Sequence, residues 1–209
     1  MIYLNEGHSP IDNVIFDLGN VLLDYNPRRF MDELGIDRKY TERLMKVFPQ
    51  SEDWQELDAG TISDDEFLAR ALRKEPMLRK EIQLYHRHWH DHFKAIPENV
   101  AAFYELKEAG AKTYILSNFQ ETCFRIMQEH NIFFQDFDGR VISYECQLRK
   151  PQPEIYQLII SKYSLDPARS VFIDDMHENI EGAKAAGLKT ILLPVGGYIM
   201  DYIGIENEA

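Results

Sequence analysis

The sequence predicts an α/β fold, a doubly wound (Rossmann-like) parallel sheet core with an all-helical segment inserted after its first strand. Three observations lead to this fold class. Short apolar runs alternate with helical patterns in the second half of the chain. Each run is bounded by polar residues or glycine, and a long helix-patterned stretch separates the first run from the second. Alternating strands and helices are typical of parallel sheets that are covered on both faces.

The predicted strands of the sheet are short runs rich in Val, Ile, Leu and Phe. Runs of this composition are typical of strands that are buried on both faces. In chain order they are Asn13–Asp17, Lys112–Leu116, Ser170–Asp174 and Lys189–Leu193.

The predicted helices of the core have apolar residues three or four positions apart, which is the spacing of an amphipathic helix. Gly187 follows the last of them and is expected at the C′ position, where glycine is common. Phe133, Phe134 and Phe137 are expected to pack in the core rather than to form a ligand platform. The helices are Pro97–Ala109, Glu121–His130, Pro153–Tyr163 and Glu178–Ala186.

Residues 27–96 are predicted to form a helical cap, and residues 1–26 and 97–209 to form the core. A single crossover helix needs far fewer residues than this stretch contains, so an insertion is the economical explanation. Ser63 is expected to cap a helix, with Glu66 at the capping-box position. The predicted cap helices are Phe30–Leu34, Tyr40–Phe48, Trp54–Ala59, Asp64–Leu72 and Met77–Phe93.

The composition and charge exclude several classes of protein. The 209 residues are 44% hydrophobic, as in ordinary globular proteins, and 23 Lys and Arg against 35 Asp and Glu give a net charge of −12. We therefore expect no binding to nucleic acid and none to an anionic membrane. If the substrate is an anion, a few local cations or a bound metal ion must offset this charge.

The cysteines and the apolar segments suggest where the protein works. Cys123 and Cys146 have neither the spacing of a disulfide framework nor that of a zinc site, which favours a reducing compartment. Residues 1–10 lack the features of a signal peptide. No segment approaches the roughly 18 apolar residues of a membrane span. We therefore expect a cytoplasmic protein.

Polar side chains stand where the predicted strands end. In doubly wound sheets, ligands bind beyond the carboxyl ends of the strands, so these residues are the candidates for chemistry. Three carboxylates, a hydroxyl, an amide and a cation are expected to meet there: Asp17, Asp174, Asp175, Ser117, Asn118 and Lys150.

These residue types favour a phosphate chemistry. Asp17 can act as a nucleophile toward phosphorus or carbon. Asp174 and Asp175 would repel it unless a cation intervenes, and Mg²⁺ with oxygen ligands fits that need. Ser117 and Lys150 can hold phosphate oxygens. Each residue also has a structural alternative, because Ser117 and the aspartates can cap helices and Lys150 can be a solvated loop charge.

The order of these motifs resembles that of the haloacid dehalogenase superfamily. The likeness runs from about Asn13 to Leu193, and the helical insert resembles the C1-type cap of subfamily I. Within the superfamily, the sequence is similar to the branch of small bacterial sugar-phosphate phosphatases, such as glucose-1-phosphate phosphatase. The motifs are Asp17-Leu-Gly-Asn20, Ser117-Asn118, Arg149-Lys150-Pro-Gln-Pro-Glu-Ile-Tyr156, and Phe172-Ile-Asp-Asp175 followed by Asn179-Ile-Glu-Gly-Ala183.

The resemblance implies a Mg²⁺-dependent phosphatase that acts on a small phosphorylated metabolite, such as a sugar phosphate. In that mechanism Asp17 attacks phosphorus and forms an aspartyl-phosphate. The metal is implied at Asp17, the carbonyl of Gly19 and Asp175, with support from Asp174. The phosphate-binding roles are implied for Ser117 and Lys150, a substrate contact for Asn118, and a place near the metal for Asn179.

One departure from the superfamily pattern leaves alternatives open. Most phosphatases of the superfamily carry a general acid–base aspartate two positions after the nucleophile, where this chain has Gly19. Metal-independent 2-haloacid dehalogenases share the departure and are the first alternative. A catalytically weak relative that binds a phosphorylated ligand is the second. His177, Glu178 and Asp24 are candidates for the missing group by sequence proximity.

The predicted cap carries two further features. His86, His88, His90 and His92 have the i, i+4 spacing of a transition-metal site, but a solvated amphipathic helix with Trp89 and Phe93 turned inward is the preferred interpretation. Some cap residues are expected to face the substrate pocket. They are Trp54, Asp58 and the turn Gly60-Thr-Ile-Ser63. The sequence specifies neither the substrate nor the oligomeric state.

Overall fold

The structure is a computed structural model that describes residues 1–206. Its strands form a central sheet, a small sheet near the termini and a two-stranded ribbon. In chain order the strands are β1 (Ile2–Leu4), β2 (Ser9–Pro10), β3 (Asn13–Phe16), β4 (Leu23–Asp24), β5 (Lys94–Ala95), β6 (Lys112–Ser117), β7 (Gly139–Ile142), β8 (Ser170–Asp174), β9 (Lys189–Leu192) and β10 (Ile203–Ile205).

The central sheet is parallel and has the strand order β7-β6-β3-β8-β9. The strand order reverses at β3, which lies between β6 and β8. The predicted strands are β3, β6, β8 and β9, whereas β7 was not predicted. That strand ends in only two buried apolar residues, Val141 and Ile142, because it lies at the edge of the sheet. The predicted α/β fold class is confirmed.

The α-helices lie on both faces of the sheet and in the inserted segment. They are α1 (Pro27–Glu33), α2 (Thr41–Val47), α3 (Glu52–Asp58), α4 (Asp64–Lys74), α5 (Arg79–His88), α6 (Pro97–Glu108), α7 (Glu121–His130), α8 (Ser143–Cys146), α9 (Pro153–Tyr163) and α10 (His177–Ala185). Short 3-10 turns cover Glu6–His8, Arg38–Tyr40, Pro76–Leu78, Trp89–His92, Ile132–Asp136, Pro167–Arg169 and Ile199–Asp201.

Two apolar clusters cover the two faces of the central sheet. Val14 and Phe16 of β3 pack with residues of α6 and α7, including the buried Phe103. Ile15 points to the opposite face and packs with α9 and α10, where Ile159 is buried. Adjacent residues of a strand point to opposite faces, so an unbroken apolar run is what a sheet covered on both sides requires.

The inserted helices have an apolar core of their own. Its centre is aromatic, with the ring of Phe48 4.5 Å from that of Tyr85 and the ring of Trp54 4.6 Å from that of Trp89. Ser63 accepts a hydrogen bond from the backbone N–H of Glu66, as expected of an N-cap. The strands β4 and β5 pair antiparallel where the chain leaves the central sheet and returns to it.

An ion-paired aspartate ties β6 to the loop before β7. Asp138 accepts hydrogen bonds from the backbone N–H and the hydroxyl of Thr113, and it lies 3.2 Å from the ammonium groups of Lys107 and Lys112. Burial raises the pKa of Asp138, but these donors and charges outweigh burial and bring the pKa to about 2. Among the described residues, no helix has the length and apolar character needed to cross a bilayer.

Candidate active site

The register of the central sheet brings the strand-end residues together. Phe16 pairs with Ile115 of β6 and with Ile173 of β8, so the three strands end almost level. Asp17, the residue after Phe16, therefore lies beside Asp174 and next to Ser117. The backbone N–H of Asp17 donates to the carbonyl of Ile173 over 2.9 Å, which fixes the backbone there.

A buried lysine links two of the aspartates. The Nζ atom of Lys150 lies 2.8 Å from Oδ1 of Asp17 and 2.6 Å from Oδ2 of Asp174. Its side chain is 1% exposed, so the structural alternative of a solvated loop charge is wrong. Ser117 donates its hydroxyl proton to Oδ1 of Asp17 over 2.7 Å rather than capping a helix. Asp17 is thus held by two donors.

Asn118 holds the loop that carries Lys150. Its side-chain oxygen accepts from the backbone N–H of Lys150 over 2.9 Å, and its side-chain nitrogen donates to the carbonyl of Lys150 over 3.0 Å. The amide of Asn118 therefore positions the lysine. Asn118 also lines the cavity described below, and its contact with substrate stays a prediction.

Two asparagines orient the paired aspartates. Asn179 donates to both carboxylate oxygens of Asp174 over 3.0 Å, and Asn20 donates to Oδ2 of Asp175 over 2.8 Å. Asp174 also accepts from the backbone N–H of Met176, just before α10 begins. That bond satisfies the backbone N–H of Met176, so Asp174 has a local structural role in addition to its position beside Asp17.

The carboxyl groups of the cluster are perturbed by burial. Burial raises the pKa of Asp17 to about 7; the charge of Asp174 adds to the rise, and Lys150 and Ser117 oppose it. Burial also raises the pKa of Asp175, against the hydrogen bond from Asn20. A strongly shifted group in a cavity is a mark of a functional site.

The three aspartates have the donor set of a magnesium site. Oxygen atoms of Asp17, Asp174 and Asp175 lie within 4.8 Å of one another. The ammonium group of Lys150 faces this cluster and offsets part of its negative charge. Carboxylate oxygens are the ligands that Mg²⁺ prefers, so these residues fit the ion.

A cavity of about 520 Å³ opens at this edge of the sheet. Asp17, Ser117 and Lys150 lie in its wall on the core side, and Trp54 and Asp58 lie in its wall on the side of the inserted helices. The turn expected to face this pocket, Gly60-Thr-Ile-Ser63, lines a separate depression beside Glu121 and Thr122 instead. That expectation is wrong because Gly60 packs against the backbone of Tyr144.

The candidates for the missing acid–base group are placed differently from one another. Glu178 lies in the cavity wall but is exposed to solvent. The side chain of His177 is 74% exposed and faces Glu181 on the surface of α10. Asp24 pairs with Arg29 outside the cavity.

The histidine cluster does not converge on a metal site. Helix α5 ends at His88, and the chain continues in a 3-10 turn, which breaks the i, i+4 spacing. His92 is buried against Phe30, whereas His88 faces Asp91. Within residues 1–206, the group whose ligand atoms meet is the aspartate cluster. The alternative of a transition-metal site is therefore unsupported.

Three further polar residues belong to the site, and the sequence predicted no role for them, although two of them stand within the motifs. Asn20 has a φ of 55°, a conformation that asparagine tolerates better than most residues. Its position three residues after Asp17 was the sequence signal that could have indicated a role in the site. Gln120 is buried in the cavity wall, and its side-chain nitrogen has no hydrogen-bond partner among residues 1–206. Arg149 also lines the cavity and donates to Gln55 over 3.2 Å.

A Rossmann-like sheet with inserted helices and an aspartate cluster at the strand ends defines an α/β enzyme with a cavity between core and insert. Residues 11–187 match the family described as haloacid dehalogenase-like hydrolase. The chain belongs to this family and is a hydrolase, which confirms the resemblance found in the motifs.

Several curated relatives cover most of the chain, and three of them show the range of activities. Sesquiterpene phosphatase astK of Aspergillus oryzae is 25% identical over 83% of this chain and 85% of its own length. D-ribitol-5-phosphate phosphatase of Bacteroides thetaiotaomicron is 27% identical over 86% and 90%. (S)-2-haloacid dehalogenase 1 of a Pseudomonas species is 25% identical over 87% and 84%. The relatives thus include both phosphatases and a dehalogenase.

A solved structure shares the fold. The HAD family enzyme bt-2542 of Bacteroides thetaiotaomicron, in complex with magnesium and inorganic phosphate, superposes with a TM-score of 0.71. The alignment covers 89% of this chain and 96% of that one at 21% identity. At this identity the likeness establishes the architecture and not the activity.

Proposed function

We propose that this hydrolase is a Mg²⁺-dependent phosphatase that releases phosphate from a small phosphorylated metabolite through an aspartyl-phosphate on Asp17. One observation carries the proposal. The carboxylates of Asp17, Asp174 and Asp175 converge, and the buried Lys150 contacts two of them. Three close carboxylates are sensible where a divalent ion binds and costly where none does.

The known relatives support phosphate chemistry. Two of the three relatives above are named as phosphatases, and the enzyme bt-2542 was solved with magnesium and phosphate. The dehalogenase relative keeps carbon–halogen chemistry as an outcome that an experiment must separate. Attack by an aspartate on carbon needs no metal ion, so the acidic cluster favours the phosphatase.

The residues of this chain have distinct roles in the proposed reaction. The Asp17 carboxylate attacks phosphorus, and the bond from phosphorus to the leaving oxygen breaks. Ser117 and Lys150 hold the phosphate oxygens, and the ammonium charge of Lys150 stabilises the negative charge that they carry. Water then attacks the phosphorus of the aspartyl-phosphate, which releases phosphate and restores Asp17.

The metal ion would be held by Asp17, Asp175 and the carbonyl of Gly19, with Asp174 oriented beside them. When bound, Mg²⁺ supplies positive charge that offsets both the clustered carboxylates and the charge of the phosphate. Asn179 and Asn20 keep Asp174 and Asp175 turned toward the cluster, because each donates to one of these carboxylates.

We also propose that residues 27–96 act as a cap domain on a core formed by residues 1–26 and 97–209. The helices of the insert share their own apolar cluster, and they supply Trp54, Gln55 and Asp58 to the cavity wall. A cap that forms one side of the cavity selects the leaving group and excludes water during the reaction. The apolar and polar side chains of the insert would therefore set the choice of substrate.

The test is release of phosphate from p-nitrophenyl phosphate and from a panel of sugar phosphates, with Mg²⁺ or with EDTA. We expect release that requires both Mg²⁺ and Asp17, and loss of activity in Asp17→Asn. Asp12→Asn is the matched control. Asp12 lies just before β3, whereas Asp17 lies just after it, and Asp12 pairs with Arg169 on the surface.

Halide release from a 2-haloacid, measured in parallel, separates the alternatives. Halide release that is unaffected by EDTA, without release of phosphate, would refute the phosphatase in favour of the dehalogenase. Inactivity on both kinds of substrate would favour the catalytically weak relative that only binds a phosphorylated ligand.

A further inference from the structure

The cavity contains a carboxyl group that the mechanism above does not use. Asp58 is the last residue of helix α3 in the insert, and it is 8% exposed. It lies in the wall of the same cavity as Asp17, although 41 positions separate the two residues in the chain. The loop after Asp17 offers no acid of its own at position 19, because Gly19 has no side chain.

Contacts between the insert and the core fix the end of helix α3 over the cavity. The buried hydroxyl of Ser143 donates to the carbonyl oxygen of Asp58 and accepts from the backbone N–H of Phe119 over 2.9 Å. Two residues after Asp58, Gly60 has a φ of 68°, and a Cβ there would lie 2.8 Å from the carbonyl oxygen of Tyr144. Only glycine allows this approach, so the insert and the core meet closely beside Asp58.

The surroundings of Asp58 let it hold and release a proton near neutral pH. Burial raises the pKa of Asp58 to about 7; Arg149 and a hydrogen bond from the Trp54 side chain oppose burial, and the charge of Asp17 adds to it. Asp58 also interacts with Tyr25 and Cys123, whose pKa values lie well above their usual range. Both are therefore neutral at the pH at which Asp58 titrates.

The other acidic groups in the wall of this cavity are less suited to proton transfer. Asp17 is the nucleophile. Glu178, in the first turn of α10, is exposed to solvent. Lys150 is engaged between Asp17 and Asp174 and keeps its charge. Asp58 is the buried carboxyl group that the insert contributes to the wall of the cavity that contains Asp17.

We propose that Asp58 is the general acid and base of this enzyme, supplied by the insert in place of an acidic side chain at position 19. The inference rests on the proposed phosphatase function and assigns it a further catalytic residue. It also gives the contact between Ser143 and the end of α3 a chemical role, because that contact holds Asp58 at the cavity.

Proton transfer through Asp58 balances over one turnover. As Asp17 attacks phosphorus, the protonated carboxyl of Asp58 gives its proton to the departing alkoxide oxygen, which leaves as an alcohol. The Asp58 carboxylate then accepts a proton from the water that attacks the aspartyl-phosphate. The bond between phosphorus and Asp17 breaks, phosphate leaves, and both aspartates return to their starting states.

The test compares leaving groups of different basicity in Asp58→Asn. An alkoxide needs a proton in order to leave, whereas p-nitrophenolate leaves without one. Loss of general acid catalysis costs about 10²–10⁴-fold in rate. We expect Asp58→Asn to lose about that factor in kcat/KM for the fastest of a panel of alkyl phosphates, and less than about tenfold for p-nitrophenyl phosphate.

Both substrates are measured on one preparation, so the ratio does not depend on the fraction of folded enzyme. Asp53→Asn is the matched control, because Asp53 is a second buried carboxyl of α3 that faces Lys74 and Arg70 outside the cavity. The control is expected to keep the ratio of the wild type.

The results separate the two claims. A wild type that releases phosphate from both kinds of substrate, with an unchanged ratio in Asp58→Asn, would overturn the role of Asp58 alone. Wild-type activity on the aryl phosphate and on no alkyl phosphate would also overturn the role of Asp58, because the enzyme would then not protonate an alkoxide leaving group. Absence of phosphate release from every substrate with Mg²⁺ would overturn the proposed function itself.

Discussion

Replacement of Lys150 by methionine should destabilise the fold strongly when no metal ion is present. The Lys150 ammonium lies 2.8 Å from Asp17 and 2.6 Å from Asp174, and its side chain is 1% exposed. Methionine keeps most of the side-chain volume but leaves two buried carboxyl groups without their shared cation. Removal of one partner from a buried ion pair costs about 3–5 kcal/mol. A chain of this size loses roughly 2–4 °C in Tm per kcal/mol, so the expected drop in Tm is roughly 6–20 °C.

The assay is thermal unfolding of Lys150→Met and the wild type in EDTA near neutral pH. EDTA is required because a bound divalent ion would replace part of the missing positive charge. Lys184→Met is the control, since Lys184 pairs with Glu181 on the exposed surface of α10 and is expected to leave Tm unchanged. A Tm for Lys150→Met equal to that of the wild type would refute the view that this lysine holds the carboxylates together.

Three further predictions concern the contacts around the site and the sheet. Gly60→Ala should lower the free energy of unfolding by more than about 1 kcal/mol, because it adds a clash with the Tyr144 carbonyl to an unfavourable φ. Gly35 has a φ of 71° and open space around it, so Gly35→Ala should lower the free energy of unfolding by less in the same urea titration. Ser143→Ala should cost about 1–3 kcal/mol, because a buried backbone amide loses its acceptor, and an unchanged urea midpoint would contradict this. The pKa of Asp138 falls to about 2 on folding, so its carboxylate stabilises the folded state by about 2 kcal/mol above pH 4. This stabilisation is lost as the pH falls toward 2. Asp138→Asn should remove that part of the dependence of the free energy of unfolding on acid pH.

The fold could be predicted largely because its central strands are buried on both faces. The apolar run around Phe16 is unbroken, as a strand between two layers of helices requires. The edge strand β7 gave no such signal, since Gly139 and Arg140 are only half-buried. The small terminal sheet was missed for a related reason: β1 pairs with β10, and such short strands are specified by a partner far away in the sequence.

The core side of the site followed from one rule, and the rest depends on contacts between distant segments. Asp17 and Asp174 were expected to be neighbours because parallel strands end at one edge of a sheet. The role of the Asn118 amide could not be read from the sequence, because it depends on how the loop of Lys150 folds back onto β6. The wrong expectation for the turn at Gly60 has the same origin, since helical spacing does not tell which side of a turn meets the core.

The central claim is a covalent phosphoryl group on Asp17, and acid quenching during turnover tests it most directly. Wild type, Asp17→Asn and Asp12→Asn are mixed with a radiolabelled aryl phosphate and Mg²⁺, quenched in acid, digested and mapped by mass spectrometry. We expect the label in wild type and Asp12→Asn on the peptide that contains Asp17, and no label in Asp17→Asn. Phosphate release by the wild type without label on that peptide, or equal labelling of Asp17→Asn, would contradict the assignment of Asp17 as the nucleophile.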